Sequence, residues 1–282
     1  MKKIKQINSY ENLKRNRNFY NRKNNMKTFI LCGGYGSRLD HEGTLIAKPM
    51  VRIGKEPILL HIINNYIDQG FNDFVFCLGY KFNTINNYFL IENKKNIKIL
   101  TKTKTLIKFE FKKNKKKFIG SLIYTGLNSG TGGRIKIAYD KLKLQEDIMM
   151  TYGDGLANIP IKKLVKFHYE NNSEVTMAAV RPKQRYGILK LNKNKVNFFD
   201  NSNKKSDIYI NGGFFVINKN AIKKIKNSKM YWEKEPLSYF LRIKKLFAFK
   251  HNGFWKSLDT QKDKNDFNQI YKKKLKKLPW KI

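Results

Sequence analysis

From Lys27 onward the apolar positions fall into short runs that switch between unbroken and helical spacing. Thr28-Phe29-Ile30-Leu31-Cys32 is an unbroken run that stops at Gly33-Gly34, the pattern of a buried strand feeding a loop. Residues 58–69 place apolar side chains at 58, 59, 62, 63, 66 and 67, one stripe of a helix, and Gly70 supplies a C-terminal stop. Residues 74–78 and 148–152 predict a second and a third buried strand, the latter ending at Gly153-Asp154-Gly155. Beyond them the pattern predicts a helix over 161–170 and a strand over 175–180. A hairpin of 187–191 with 196–199 follows around Asn192-Lys193-Asn194, then a strand over 210–217 and a helix over 235–243. Residues 93–117, dominated by Lys, Asn and Thr around Phe109-Glu110-Phe111, receive no element. Strands alternating with helices predict an α/β sandwich built on one mixed, mainly parallel sheet.

The 282 residues, 41% of them hydrophobic, are enough for a substantial core in one large or two modest domains. Residues 1–25 carry eight basic residues and one acidic, Glu11, with little apolar periodicity, which predicts a disordered basic arm ahead of a folded region over 26–282. Met26 is a candidate initiator. No apolar run reaches the ~18 residues of a membrane helix, and no apolar segment follows the basic start as a secretory signal requires, so a cytoplasmic protein without a membrane partner is expected. Cys32 and Cys77 each sit inside an apolar run, which predicts reduced core thiols.

The net charge is +38, a value that would ordinarily point to nucleic acid. Only nine of the 59 basic residues are Arg, however, and the lysines are dispersed along the chain. Phosphate and base recognition favour the planar Arg fork, and RNA binders interleave stacking aromatics in a defined module. Neither feature is present, so no nucleic-acid partner is expected. A positive field does favour capture of polyanionic small substrates such as nucleoside triphosphates.

Candidate chemistry begins at Leu31-Cys32-Gly33-Gly34-Tyr35-Gly36-Ser37-Arg38, where glycines would let backbone N–H groups approach a phosphate or base. The third glycine of a dinucleotide fingerprint is missing, and no Gly-Lys-Ser/Thr closes a P-loop. Lys48-Pro49-Met50 follows, a cation beside a rigid proline. Taken with Gly33 to Arg38, it resembles the signature of the sugar-1-phosphate nucleotidyltransferases. Gly79-Tyr80-Lys81, Ser129-Gly130-Thr131-Gly132-Gly133-Arg134, Thr151-Tyr152-Gly153-Asp154-Gly155, Ile210-Asn211-Gly212-Gly213-Phe214-Phe215, Trp232-Glu233-Lys234-Glu235-Pro236-Leu237 and Gly253 through Thr260 are together similar to the glucose-1-phosphate cytidylyltransferase branch.

The resemblance covers the chain from Met26 onward. It implies a single three-layer Rossmann-like domain, CTP and a sugar 1-phosphate as substrates, Mg²⁺, and a homo-oligomer making a CDP-sugar for surface polysaccharide. It implies a metal held by Asp154 and Asp259, with Arg38, Lys48 and Asp154 catalytic. Leu31, Cys32, Gly33, Gly34, Tyr35, Gly36, Ser37, Arg38, Lys48, Ser129, Arg134, Gly153 and Asn211 would bind substrate. The residues taken alone allow plainer roles: Asp154 as a turn former, Asp259 as a helix N-cap, Asn211 as a partner for nearby backbone, and Tyr35, Trp232 and Trp255 as packing. Two positions depart from the family: Asn201-Ser202-Asn203 stands where a Glu-Lys-Pro is usual, and Tyr124 replaces an acidic residue.

Overall fold

The computed structural model describes residues 26–35, 46–113, 115–182, 188–192, 194–200, 208–273 and 277–282. The expected basic arm over 1–25, the Gly36-Ser37-Arg38 part of the glycine turn and Asn201-Ser202-Asn203 lie outside these residues.

Nine strands form the main sheet: β1 (Thr28–Cys32), β2 (Asp73–Leu78), β3 (Ile97–Lys102), β4 (Leu106–Lys113), β5 (Lys116–Tyr124), β6 (Ile148–Tyr152), β7 (Val175–Val180), β8 (Ile210–Ile217) and β9 (Leu246–His251). Their spatial order is β9-β7-β8-β6-β1-β2-β5-β4-β3. The predicted strands over 28–32, 148–152, 175–180 and 210–217 are found with those bounds, and the predicted hairpin is Ile188–Asn192 paired with Lys195–Asp200. The sheet is mixed as expected, but parallel pairing does not dominate it. Four neighbouring pairs are parallel (β6-β1, β1-β2, β2-β5 and β7-β9), and four are antiparallel. The meander β3-β4-β5 accounts for two of the antiparallel pairs; strands joined by short turns can pair in no other sense.

The central strands are buried on both faces, so their successive residues feed two cores. Ile30, Cys32, Phe74, Phe76 and Leu78 pack beneath helices α1 (Ile58–Ile67), α3 (Ile161–Glu170) and α5 (Gln261–Lys272). Phe29, Leu31, Val75 and Cys77 face helices α2 (Thr131–Lys141) and α4 (Glu235–Arg242) on the other side. Both thiols are buried and unpaired, as expected. Burial raises the pKa of each, that of Cys77 to about 12, which makes them poor nucleophiles at neutral pH. Among the described residues no helix is long and apolar enough to cross a membrane.

The chain order places the functional end of the sheet. After β1 the next parallel strands build outward on one side, through β2 and β5; β6 then returns to the other side of β1. Neighbouring connections diverge at that switch, leaving a crevice beyond the carboxyl ends of β1 and β6 where ligands bind in open α/β sheets. Gly33-Gly34 and Gly153-Asp154 are the residues that emerge there.

Candidate active site

Gly153 follows β6, and its N–H donates to the Leu31 carbonyl across 3.1 Å, tying the end of β6 to β1. A Cβ on Gly153 would sit 2.7 Å from Pro49 Cγ and 2.9 Å from the Leu31 oxygen. Only glycine lets the single helical turn Lys48–Met50 settle against the strand ends. That contact delivers the Lys48 side chain to Asp154, with Nζ 2.7 Å from Asp154 Oδ2.

Asp259 arrives by a separate route. Gly155–Ala157 pairs antiparallel with Trp255–Ser257, in register Ser257↔Gly155, and the Leu258 N–H donates to the Asp154 carbonyl at 2.8 Å. This small ladder brings Asp259 beside Asp154, and Lys48 Nζ lies 2.9 Å from Asp259 Oδ1. Ser257 Oγ donates to the other Asp259 oxygen at 2.6 Å. The N-cap of α5 is Thr260, in a reciprocal capping box with Asp263, so Asp259 is not the helix cap and its carboxylate is free to face the crevice.

Burial works to lower the Lys48 pKa, but the two carboxylates outweigh it and the ammonium titrates above its usual value. Burial likewise works to raise Asp259, yet its hydrogen bonds from Ser257 and Lys48 hold it below the ordinary carboxylate value. At neutral pH Lys48 is therefore an ammonium and Asp259 a carboxylate.

Lys48, Asp154 and Asp259 stand at the side of a cavity of about 560 Å³. Leu31, Cys32, Gly33, Gly34, Tyr35, Ser129, Arg134, Gly153, Asp154, Asp259 and Lys48 all line it. The predicted residues thus converge, with three exceptions and one departure. Gly36, Ser37 and Arg38 fall outside the described residues. Asn211 does not line this cavity; its Oδ1 accepts the Gly213 N–H at 2.8 Å, the backbone-satisfying role that a strand Asn can take. Tyr35 is not packing: its ring is 52% exposed on the cavity wall, tilted against Tyr80 at 5.1 Å, and its hydroxyl donates to Asn128. Trp232 is fully buried, as expected of packing.

Arg134, which lines the cavity, also has a structural task. Its guanidinium donates to the carbonyls of Leu78, Gly33, Gly126 and Leu127 and to Thr125 Oγ1, at 2.7–3.2 Å. It fastens the loop after β1 to the loop after β5. The glycines before it also serve the protein. Cβ atoms on Gly130 and Gly133 would stand 2.4 Å from the Met230 carbonyl and 1.8 Å from the Ser228 carbonyl, because segment 228–232 crosses the start of α2. The Gly130 N–H donates to Ser228 O and the Gly133 N–H to Met230 O, at 2.9 and 3.0 Å, using helix-start donors that a ligand would otherwise claim.

Sequence reasoning did not single out the chain Tyr152–Glu233–Thr131. The Tyr152 hydroxyl and Thr131 Oγ1 each donate to one oxygen of Glu233, and the Trp232 N–H donates to Thr131 Oγ1. Burial and the adjacent Glu233 push the Tyr152 pKa far up, keeping its proton in place. Tyr152 and Thr131 line the cavity. Both lie within motifs visible in the sequence, but nothing there joins them to Glu233.

The donor set of Asp154 and Asp259 fits a hard divalent cation. Two carboxylates on fixed backbone each aim an oxygen at one point, which the Lys48 ammonium marks. Mg²⁺ uses one or two protein carboxylates and leaves the remaining positions to water and phosphate oxygens. Among the described residues no third His, Cys, Asp or Glu joins them.

Comparison with known proteins agrees with this geometry. The nucleotidyl transferase family profile matches residues 27–260. Glucose-1-phosphate cytidylyltransferase of Salmonella typhimurium is 38% identical over 91% of this chain and 99% of its own. A probable glucose-1-phosphate cytidylyltransferase of Bacillus subtilis is 34% identical over 87% of this chain and 96% of its own. Among solved structures, HddC from Yersinia pseudotuberculosis complexed with GMP-PN superposes with a TM-score of 0.64 at 22% identity, covering 87% of this chain and 99% of that one. With a family match that spans the strands, the crevice and both carboxylates, this chain belongs to the nucleotidyl transferase family.

Proposed function

We propose that this protein is a cytidylyltransferase that joins CTP to a sugar 1-phosphate, with glucose 1-phosphate the expected acceptor, releasing pyrophosphate and a CDP-sugar. One observation carries the reading of the site: Asp154 and Asp259, brought in by separate elements, share the Lys48 ammonium beside the glycine turn. The choice of base and sugar is supported by the cytidylyltransferase relatives that align over nearly their whole length.

In this reaction a phosphate oxygen of the sugar 1-phosphate attacks the α-phosphorus of CTP. That oxygen is already ionised at neutral pH, so no general base is needed; the task is to align two anions and neutralise them. Gly33 and Gly34 carry no side chain between their backbone and the cavity, and their position beyond β1 suits a polyphosphate. Lys48 places a cation where the two anionic substrates would meet, and Arg38 is assigned to the departing pyrophosphate. Ser129 and Tyr35, which both line the cavity, are assigned to the nucleoside. Asp154 and Asp259 would hold Mg²⁺, which supplies Lewis-acid stabilisation of charge on the transferring phosphate and the leaving group.

Incubation of the purified protein with Mg²⁺ and a panel of nucleoside triphosphates and sugar 1-phosphates tests the proposal through pyrophosphate release. CTP with glucose 1-phosphate should be the best pair, and Asp154→Ala or Asp259→Ala should abolish release. Because Asn201-Ser202-Asn203 lacks the usual lysine, another sugar phosphate outperforming glucose 1-phosphate would revise the acceptor alone. Release unaffected by either Asp substitution would defeat the site assignment.

A further inference from the structure

Lys48 stands where a metal ion held by Asp154 and Asp259 would also stand. Its Nζ contacts both carboxylates within 2.9 Å, and all three side chains are largely shielded, at 16%, 30% and 28% exposure. An ammonium and a divalent cation cannot share that point: at such separations like charges repel strongly, the more so away from bulk water. Each carboxylate already has a partner without a metal, Asp259 in Lys48 and Ser257 and Asp154 in Lys48. Pro49, wedged against Gly153, fixes the backbone of this turn, so any relocation of the ammonium belongs to the flexible four-carbon stem.

Resting on the metal role given above to Asp154 and Asp259, we propose that Lys48 is a built-in counter-ion that fills the cation position of the free protein, so that a divalent ion is admitted together with the nucleoside triphosphate whose phosphates draw the ammonium away. Metal and nucleotide are then thermodynamically coupled, each raising the affinity of the other by the same factor, and Lys48 carries the coupling. The arrangement also explains how an acidic pair stays assembled without metal: the ammonium removes the repulsion that would otherwise part the carboxylates.

Mn²⁺ binding to the nucleotide-free protein, read by electron paramagnetic resonance of the unbound ion, tests this without turnover. Wild type should bind Mn²⁺ weakly, and Lys48→Met should bind it about tenfold to a hundredfold more tightly, the range typical of site coupling. Lys48→Gln, which stays polar but is one atom shorter and uncharged, should behave alike and covers misfolding of the apolar variant. Adding Asp154→Asn to either must remove the gained affinity. With CTP present and a CTP–Mn²⁺ blank subtracted, wild type should tighten and the Lys48 variants should gain little. Lys48 variants that bind Mn²⁺ no more tightly than wild type would overturn the counter-ion role, while Asp154-dependent binding would leave the metal site standing. Absence of Asp154-dependent Mn²⁺ binding in every variant, with or without CTP, would remove both.

Discussion

Arg134→Lys separates two ways in which an arginine at a nucleotide cavity can matter. The native guanidinium makes five N–H···O contacts to four carbonyls and one hydroxyl. A lysine offers three donors from one atom and cannot reach all of these acceptors in the two loops at once. Some losses are covered: Leu78 O also accepts from Thr125, and Gly33 O from the Tyr80 N–H at 3.3 Å. For the Gly126 and Leu127 carbonyls no second partner is evident in the described residues; both contacts are part-buried, so each loss falls toward the low end of the about 1–3 kcal/mol that an unpaired buried acceptor costs. Allowing for partial hydration, the substitution should destabilise by about 2–4 kcal/mol, which for a domain of this size lowers Tm by roughly 5–15 °C. Thermal unfolding by circular dichroism measures that loss, and initial rates measure its consequence. KM for CTP should rise because the loops after β1 and β5 are no longer fastened together, while kcat falls less. A variant with wild-type Tm and a collapsed kcat would refute the reasoning, since it would mean that the guanidinium acts on the reacting groups and not on the loops.

Two glycines differ in the same way. Gly133→Ala drives a Cβ into the Ser228 carbonyl and should cost about 2–4 kcal/mol or prevent folding, whereas Gly34→Ala meets nothing within 4 Å and should leave Tm within about 2 °C while raising KM for CTP. Urea titrations and initial rates distinguish them, and equal destabilisation by both would refute the packing account. The pH dependence of the Lys48–Asp259 contact follows from the direction of each shift. Asp259, with its folded pKa depressed, contributes stability that is present above the ordinary 3.8 and is lost as pH falls through the lower folded value. Lys48, with its folded pKa raised, contributes stability that is complete below 10.5 and is lost as pH rises through the higher folded value. The Tm difference between wild type and Asp259→Asn should therefore be flat from about pH 5 to 9; a change centred inside that window would contradict the paired state. Finally, if the net charge of +38 steers a triphosphate, kcat/KM for CTP should fall with added salt while kcat does not, and parallel loss of both would exclude steering.

Most of the core could be read from the sequence because the central strands are buried on both faces and appear as unbroken apolar runs. The unassigned stretch 93–117 failed that test for a physical reason. β3 is the outermost strand, nearly all of it exposed, and its lysines suit an edge that must not recruit another chain. Only Phe109 and Phe111 of β4 are fully buried, too short a signal to define a strand. Helix α2 was hidden behind its opening glycines, and α5 behind a composition so polar that Asp263 and Phe267 alone are buried. The absence of an assigned β3–β5 meander is also why parallel pairing was overestimated. At the site, Asp154, Asp259 and Lys48, each singled out in the sequence, stand in contact with one another. What no motif could show is the direction in which a residue acts. Arg134 is expected from its motif to bind substrate and does line the cavity, yet its guanidinium also donates to oxygens of two loops, and Gly130 and Gly133 before it donate to Ser228 and Met230, partners that no motif names.

The charge balance gives the Lys48 contact its wider meaning. A chain with 59 basic and 21 acidic residues attracts a triphosphate and disfavours a free divalent cation near its surface. At physiological salt that field reaches only about 8 Å, so what a metal ion meets is decided by the nearest charges. At the cavity those are two carboxylates already sharing an ammonium. A triphosphate that arrives with its own metal reverses both terms: its net charge is attracted by the field, and its phosphates offer Lys48 another partner at the moment the metal needs the carboxylates. The lysine-rich background and the counter-ion thus favour the same event, joint entry of nucleotide and metal, although only the second depends on where one side chain lies.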